Sequence, residues 1–242
     1  MIQSIQSSSN SKFQLWKSLL KSKGINEHGL FILSGEKIVQ EHLNHPHLKT
    51  VSEIITNRMM SLQNEVTTFE LSLELFNELD LIGTNYPLLI VQMPEVPYLE
   101  QYTIPKGLEI VIPIGDPSNL GALIRSAVAF GASKIYLTKE SAHPFHPKAV
   151  KASSGSVMKA PLFFTGPLFE ADMTSTWALD STGQNLLTTK LPRDIRILVG
   201  EEGPGLGSLR NVQRISVPIQ NVESLNATVA ASLLMWEYCR QS

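Results

Sequence analysis

Three segments of this chain set glycines, amides and charged side chains directly after apolar runs that predict strands. Residues 114–127 pass through Gly-Asp-Pro-Ser-Asn into a helical pattern that carries Arg125. Residues 195–206 end in three glycines and two carboxylates, and residues 217–231 bring Asn226 to the start of an alanine-rich helix. In open α/β sheets, ligands bind beyond the carboxyl ends of the strands. Glycine lets a ligand approach the backbone closely, and amide, guanidinium and carboxylate groups can hold it.

Each segment taken alone also has a simpler interpretation. Asn119 can be only a helix cap and Arg125 only a solvated helix charge. Glu201 and Glu202 can merely favour the start of a following short helix. Ser224 or Glu223 can cap the closing helix, and backbone groups can satisfy the side-chain amide of Asn226. For any single segment, these structural roles are the better prediction.

A proline-rich stretch divides the chain into two regions of alternating helix and strand patterns. Pro94, Pro97, Pro105 and Gly107 fall close together among polar residues, which is typical of a linker. We therefore expect a small α/β domain at 1–95, a linker at 96–107 and a second domain at 108–242. Strands separated by helices indicate a mostly parallel sheet with both faces covered.

Periodicity predicts elements on both sides of this linker. Before it, helices are expected at 12–23 (closed by Gly24), 35–43 and 71–79, and strands at 30–33, 51–55 and 88–92. After it, strands are expected at 109–114, 134–138, 162–164, 177–180, 195–199 and 215–218, and helices at 119–130, 147–154 and 224–240.

The composition excludes several classes of protein. With 242 residues, 43% hydrophobic residues and a net charge of −2, the chain is not disordered. Its apolar runs are far shorter than the ~20 residues of a membrane span. The single cysteine, Cys239, excludes an intramolecular disulfide. Residues 1–11 lack the basic and apolar regions of a signal peptide, so we expect a cytoplasmic protein.

Charge and histidine placement limit the candidate partners. Residues 51–100 carry seven Glu and one Asp against one Arg, which makes them an unlikely surface for a polyanion. Residues 1–50 carry six Lys and three Glu, and this positive balance would allow them to approach a polyanion. No metal site is expected. We expect His42, His45 and His47, which lie near Glu41, to be in an exposed loop. We expect His143 and His146 to lie near the RNA or at the surface.

Together and in this order, the three segments resemble the motifs of the SpoU (TrmH) class of RNA 2′-O-methyltransferases, within the SPOUT superfamily. The family patterns read roughly D-P-x-N-x-G-x-x-x-R-[ST]-A-x-x-F-G, G-x-E-G-x-G-L and [IV]-P-x…S-L-N. They correspond here to residues 116–131, 200–206 and 217–226. Residues 146–155 resemble the stretch between the first two motifs. The resemblance covers residues 108–242, and 31–37 and 71–76 resemble more weakly the small substrate-binding domain that often precedes it.

The resemblance implies an α/β fold with a SPOUT-type parallel sheet and a C-terminal trefoil knot, preceded by a small α/β substrate-binding domain. It also implies S-adenosyl-L-methionine as cofactor and a homodimer formed through the knot region and the closing helix. On that helix, Met235, Trp236 and Tyr238 suit a dimer interface, although each could equally belong to the core of its own chain. The cofactor contacts implied by motif position are Gly200, Val217, Leu225, Ile219 and Thr138.

The implied chemistry is methyl transfer to a ribose hydroxyl. By resemblance Arg125 is aimed at that hydroxyl, and a guanidinium that keeps its charge would stabilise an alkoxide or the adjacent phosphate. The other polar motif positions are expected to order the site and hold ribose and donor: Asn119, Glu202, Ser224 and Asn226. Lys148 and Lys151, with Arg125, are the expected RNA contacts.

The resulting prediction is S-adenosylmethionine-dependent 2′-O-methylation of structured RNA. The separate front domain favours ribosomal over transfer RNA. An RNA-binding protein that keeps the fold without methyl transfer is an alternative, which the intact polar set argues against. Base methylation is disfavoured by the Ser-Leu-Asn signature at 224–226. A small-molecule methyltransferase would place a glycine-rich loop after its first strand, and residues 115–117 are not one.

Overall fold

The computed structural model describes residues 2–56, 61–62, 65–168, 175–200 and 212–242. The chain forms two compact units. One contains residues 1–95 with residues 143–158, and the other contains residues 96–142 with residues 159–242. Within the described ranges, no helix is long and apolar enough to cross a membrane.

The first unit contains a mixed five-stranded sheet with helices before and between its strands. The strand order is β1-β4-β3-β5-β2, in which β5 pairs antiparallel with β2 and β3 while the other pairs are parallel. The strands are β1 (Ile2–Ile5), β2 (Leu30–Leu33), β3 (Thr50–Thr56), β4 (Thr67–Leu71) and β5 (Leu88–Gln92), and the helices are α1 (Ser11–Ser18), α2 (Ser22–His28), α3 (Glu36–Asn44) and α4 (Leu73–Leu79).

Glycine has a different role at the first helices from the one predicted. The expected single helix at 12–23 is divided into α1 and α2, and Gly24 is buried inside α2 instead of ending a helix. A Cβ atom on Gly24 would collide with the backbone oxygen of Ser18, so glycine permits the close approach of the two helices. The helix stop is Gly29, whose φ of 61° is a left-handed conformation typical of a C-terminal cap.

Residues 143–158 interrupt the sequence of the second unit but belong to the first unit. They contain α6 (Pro147–Ala152) and a 3₁₀ turn at Ser156–Met158. The ring of Phe145 is fully buried, with its centroid 5.1 Å from that of Phe31 on β2. The methyltransferase-like stretch at 146–155 therefore belongs structurally to the first unit, whereas the predicted functional division at 108–242 stays a prediction.

The second unit contains a seven-stranded sheet in which every recorded pairing is parallel, as the strand and helix pattern predicted. The strand order is β12-β10-β11-β7-β8-β9-β6. The strands are β6 (Tyr98–Leu99), β7 (Leu108–Ile112), β8 (Lys134–Leu137), β9 (Leu162–Thr165), β10 (Thr176–Asn185), β11 (Ile195–Leu198) and β12 (Gln213–Ser216), and the long helices are α5 (Pro117–Ala129) and α7 (Ala227–Gln241). The stretch at 96–107, predicted as a linker, supplies edge strand β6.

A buried ion pair joins neighbouring strands near the amino end of this sheet. The Glu109 carboxylate is fully buried and accepts hydrogen bonds from Arg196 Nη2 at 2.9 Å and Nε at 3.2 Å. It also accepts from the Tyr136 hydroxyl at 3.1 Å. The Arg196 guanidinium lies 4.7 Å from the ring centroid of Tyr102 and 5.4 Å from that of Tyr136. Burial raises the pKa of both tyrosines, so their hydroxyls remain protonated donors.

Two histidines expected at the surface are buried in the first unit. His42 lies on α3, with Nε2 3.0 Å from Thr50 Oγ1. His143 Nδ1 accepts from the backbone N–H of Phe145, so its Nε2 carries the proton and donates to Asn26 Oδ1 at 3.0 Å. The earlier prediction is wrong for these two because packing between distant segments encloses them.

Burial lowers the pKa of His143 to about 4, and the nearby His146 adds to the shift. Since an unfolded histidine titrates near 6.5, protonation favours unfolding. The stability is fully present above pH ~6.5 and falls by up to about 3 kcal/mol as the pH approaches 4. We expect His143→Gln to flatten the pH dependence of the unfolding free energy between pH 7 and 4.5, measured by urea denaturation. The exposed control His45→Gln should retain the wild-type slope, and identical slopes for His143→Gln and wild type would contradict the assignment.

Candidate active site

The described parts of the three motif segments lie at the carboxyl edge of the second sheet. The strands β12, β10, β11 and β7 are adjacent and parallel, so the residues that follow them share one edge. Asp116 follows β7, Gly200 follows β11 and Val217 follows β12. Glu202 and the remainder of the second motif, residues 201–206, lie outside the described residues.

The first motif forms the beginning of α5. Asp116 is the cap residue, and its Oδ1 accepts from the backbone N–H of Asn119 at 2.8 Å. The prediction that Asn119 caps this helix is wrong. Pro117 has a fixed φ and no N–H, which suits the first helical position, so the cap is Asp116, three residues before Asn119. The side chain of Asn119 is consequently free for other partners.

The third motif forms the beginning of α7. Asn226 is the cap residue, with Oδ1 accepting from the backbone N–H groups of Thr228 at 2.9 Å and Val229 at 3.4 Å. It lies before the helix and not in its first turn. Ser224, the predicted cap, is exposed in the preceding turn, beside a partly buried Leu225. The expected satisfaction of Asn226 by backbone groups is confirmed for its oxygen atom.

The amide nitrogen of Asn226 links the two helix starts. Its Nδ2 donates to Asn119 Oδ1 at 3.4 Å, and Thr228 Oγ1 donates to the Asn119 carbonyl at 3.4 Å. Farther along the helices, Ser232 Oγ donates to Ser126 Oγ at 2.8 Å. The helices thus run side by side in the same direction, with both amino termini at one end. Their partial positive charges favour an anionic group there, such as a phosphate or carboxylate.

Arg125 lies on a different side of α5. It follows Asn119 by six residues, or about 9 Å along the helix axis. Its side chain is exposed, and no salt bridge joins it to another described residue. The structure therefore brings Asn119 and Asn226 together and leaves Arg125 as a solvent-facing cation. Such a guanidinium is available to a phosphate or to an oxygen that develops negative charge.

Thr138 presents an unsatisfied polar group at the same edge. It directly follows β8 and is buried, and its Oγ1 has no hydrogen-bond partner among the described residues. A buried hydroxyl without a partner is costly, and a bound ligand can satisfy it. The other predicted cofactor contacts are partly buried after their strands: Gly200, Val217, Ile219 and Leu225. Within the described ranges, no group of three or more potential ligands could hold a metal ion.

A bulge that the sequence patterns did not predict lies at the end of β10, between the strands that lead to Gly200 and Val217. The pairing of β10 with β12 shifts register between Leu179 and Gln184. Within the bulge, Asp180 accepts from the Thr182 backbone N–H at 2.9 Å, which is the main cause of its lowered pKa, and the ion pair with Arg214 adds to the shift. Its sequence signal is the turn-forming Asp-Ser-Thr-Gly that follows an apolar run at 177–179.

Comparison with known proteins identifies relatives along most of the chain. The family model of the SpoU rRNA methylase family matches residues 109–236. Ribosomal RNA small subunit methyltransferase G 2 of Syntrophobacter fumaroxidans is 34% identical over 98% of this chain, which spans about half (49%) of that relative. The 23S rRNA (guanosine(2553)-2′-O)-methyltransferase RlmP of Bacillus subtilis is 26% identical, over 96% of this chain and 97% of its own length.

Solved structures share the fold. An RNA 2′-O ribose methyltransferase superposes with a TM-score of 0.76 at 21% identity, covering 98% of each chain. The SpoU methyltransferase AviRb from Streptomyces viridochromogenes, in complex with AdoMet, has a TM-score of 0.74 at 21% identity and covers 96% of this chain and 98% of its own. The predicted SPOUT-type parallel sheet is thereby confirmed. The trefoil knot stays a prediction, since residues 201–211 lie outside the described part of the chain.

The two helix starts give a test of the cap assignments. Asn226→Ala should lower the unfolding free energy by about 1 kcal/mol because two backbone N–H groups lose their acceptor. Asn226→Asp keeps an acceptor and should stay within about 0.5 kcal/mol of wild type. The control Asn119→Ala removes only the amide link and should also change stability by less than about 0.5 kcal/mol. Equal losses for Asn226→Ala and Asn226→Asp in urea denaturation would refute the capping role.

Proposed function

Because this chain belongs to the SpoU rRNA methylase family, we propose that it transfers a methyl group from S-adenosylmethionine to a ribose 2′-hydroxyl of ribosomal RNA. The observation that carries this proposal is the joined start of α5 and α7, where Asn119 and Asn226 meet beside the strand ends. The names of the rRNA methyltransferase relatives support the substrate class. A ribosomal RNA substrate agrees with the cytoplasmic location expected from the sequence.

The residues at the carboxyl edge fit the proposed cofactor. Thr138 offers a buried hydroxyl that needs a partner, and Gly200 allows backbone N–H and C=O groups to approach a ligand. Val217, Ile219 and Leu225 are partly buried apolar residues suited to the adenine ring. Bound S-adenosylmethionine supplies an electrophilic methyl group on a sulfonium. The AdoMet complex of AviRb, which has the same fold, supports this assignment.

Arg125 is proposed to act on the methyl acceptor. A ribose hydroxyl is a weak nucleophile, and negative charge develops on its oxygen as its proton is lost. The exposed, permanently charged guanidinium of Arg125 stabilises that charge or holds the adjacent phosphate. Asn119 and Asn226 hold the ribose and donor in register, and Ser224 contributes from the turn before α7. Glu202 belongs to the same proposed set, although it lies outside the described residues.

Lys148 and Lys151 are proposed to bind RNA from the first unit. They lie three residues apart on α6 and are exposed, while Pro147, Ala149 and Val150 are buried. No acidic residue occurs within 143–158, so the segment is a local basic surface in a chain of net charge −2. Lysines of this kind bind the phosphate backbone. Residues 1–95, together with this segment, are thus the proposed substrate-binding domain.

An apolar stripe on α7 supports a homodimer. Val229, Leu233 and Trp236 are 49%, 42% and 54% exposed, and their spacing places them on one side of the helix. Met235 and Tyr238, predicted at the interface, are instead buried in their own chain, with the Tyr238 hydroxyl donating to the carbonyl of Arg193 at 2.7 Å. The stripe of Val229, Leu233 and Trp236 is proposed to pack against a second copy of the chain.

Methyl incorporation from labelled S-adenosylmethionine tests the activity. Wild type should label unmodified ribosomal RNA more than transfer RNA. Arg125→Ala should lower the rate by about a hundredfold or more because charge stabilisation is lost. The control Lys190→Ala, another exposed cation of the second unit, should remain active. Cofactor binding without incorporation into either RNA would instead favour an RNA-binding protein of the same fold.

Sedimentation tests the dimer. Trp236→Glu places a charge in the stripe on α7 and should convert a dimer into a monomer with reduced methyl transfer. Leu187→Glu is the matched control, because Leu187 is 68% exposed in the same unit but lies outside the stripe. A wild-type monomer, or equal sedimentation of wild type and Trp236→Glu, would contradict the proposed interface.

A further inference from the structure

A cleft lies at the free end of the second sheet, away from the predicted cofactor contacts after β11 and β12. Residues 98–102 and 165–167 line this cleft, which has a volume of about 170 Å³ and opens to solvent. These residues belong to edge strand β6 and its neighbour β9 and to the loops after them. The cleft therefore shares the carboxyl edge with the candidate active site. With strands spaced ~4.8 Å apart, β9 and β6 lie about 10 Å and 14 Å from β7.

The walls of this cleft combine aromatic and hydrogen-bonding groups. Tyr98 is 59% exposed, although it lies in a strand. Tyr102 forms an inner wall, with its hydroxyl 3.5 Å from Thr165 Oγ1 and its ring packed on Tyr136. Gly166 leaves space, because a Cβ atom there would already contact the Tyr98 hydroxyl at 3.4 Å. An exposed aromatic ring beside a polar pocket is the arrangement by which proteins bind unpaired bases.

The charges around the cleft favour a base inside it and a phosphate outside it. Glu100 and Gln101 line the cleft, and a carboxylate there would repel a phosphate but accept a hydrogen bond from an amino group. At the rim, the backbone N–H of Lys139 donates to the carbonyl of Gly166 at 3.4 Å, and Lys139 is exposed. Its ammonium group is available to the sugar–phosphate chain.

We propose that this space, here named the Tyr98 cleft, receives an unpaired base of the substrate RNA a few nucleotides from the methylated ribose. Tyr98 stacks on the base, and Glu100 selects bases that carry an amino group (adenine, cytosine or guanine) over uracil. Lys139 neutralises the adjoining phosphate. Holding one base at the free end of the sheet fixes the register of the RNA, so that a single ribose reaches Arg125. This inference rests on the proposed function and adds a specificity site to it.

Substitution of Tyr98 separates stacking from other roles. Tyr98→Ala should raise both the dissociation constant and the KM for ribosomal RNA about tenfold or more, because base stacking is lost. Tyr98→Phe keeps the ring and should remain close to wild type. Ile104→Ala is the matched control, since Ile104 is 83% exposed in the same stretch and lies outside the cleft. The affinity for S-adenosylmethionine should be unchanged in all three variants.

Photo-crosslinking provides a readout that does not require catalysis. Three ribosomal RNA transcripts, containing 5-iodocytidine, 8-azidoadenosine or 6-thioguanosine, are irradiated separately. At least one should crosslink to the peptide that holds Tyr98, and Tyr98→Ala should abolish that crosslink. The proposal would be overturned if Tyr98→Ala kept the RNA affinity and KM of the wild type and the RNA crosslinked only to other peptides. A loss of S-adenosylmethionine affinity would assign the cleft to the cofactor, and a change in sedimentation alone would assign it to a protein partner.

Failure of this proposal and failure of the proposed function give different results. If wild type methylates ribosomal RNA and Tyr98→Ala does so with the same KM, only the base-binding cleft is refuted. If wild type methylates no RNA, the proposed function fails. RNA affinity and the crosslink would still decide whether Tyr98 binds a base.

Discussion

The buried carboxylate of Glu109 is the constraint on which the second unit depends. An unpaired charge in the interior would cost several kcal/mol, so its partners must be assembled together. Those partners come from separate parts of the chain: Arg196 on β11, Tyr136 on β8 and the backbone N–H of Lys106, which donates to Glu109 Oε1 at 3.2 Å. Arg196 also donates to the carbonyl of Thr103. One buried group thus fixes three adjacent strands and the segment that precedes them.

This arrangement separates the structural end of the sheet from its functional end. The ion pair holds β7, β8 and β11 near their amino ends, while the loops at their carboxyl ends carry Asp116, Thr138 and Gly200. The Glu109 carboxylate at the first end is paired, whereas the buried hydroxyls of Thr176 at that end and of Thr138 at the second have no partner among the described residues. Tyr102 connects the ion pair with the Tyr98 cleft, because its ring covers the Arg196 guanidinium and its hydroxyl faces Thr165. A rigid scaffold of this kind allows loops to hold ligands accurately.

Residues 143–158 are an excursion of the chain into the first unit, and residues of the second unit lie on both sides of it in the sequence. Just before it, the N–H of Ala142 donates to the carbonyl of Ile114 at 2.8 Å, and Ser141 Oγ donates to that of Ile112. These bonds attach the departing chain to the strand that leads into the first motif. The excursion then carries the proposed RNA-binding residues Lys148 and Lys151 into the first unit. Residues 143–158 therefore lie within the span of the family model but belong structurally to the first unit.

The sequence by itself determined the local elements and the family. Strands at 30–33 and 88–92 match the structure, and the all-parallel sheet follows from the alternation of strands and helices, because these patterns depend on near neighbours. The polar motifs also located three of the strand ends that form the site. Only the tertiary structure decided which partner each group meets. The caps of α5 and α7 are Asp116 and Asn226. His143 is buried, Tyr238 packs in the core of its own chain, and a bulge lies at Asp180. The burial of His143 and Tyr238 depends on residues distant in sequence, whose approach no local pattern encodes, whereas each cap depends on which residue the turn before the helix brings to its first N–H groups.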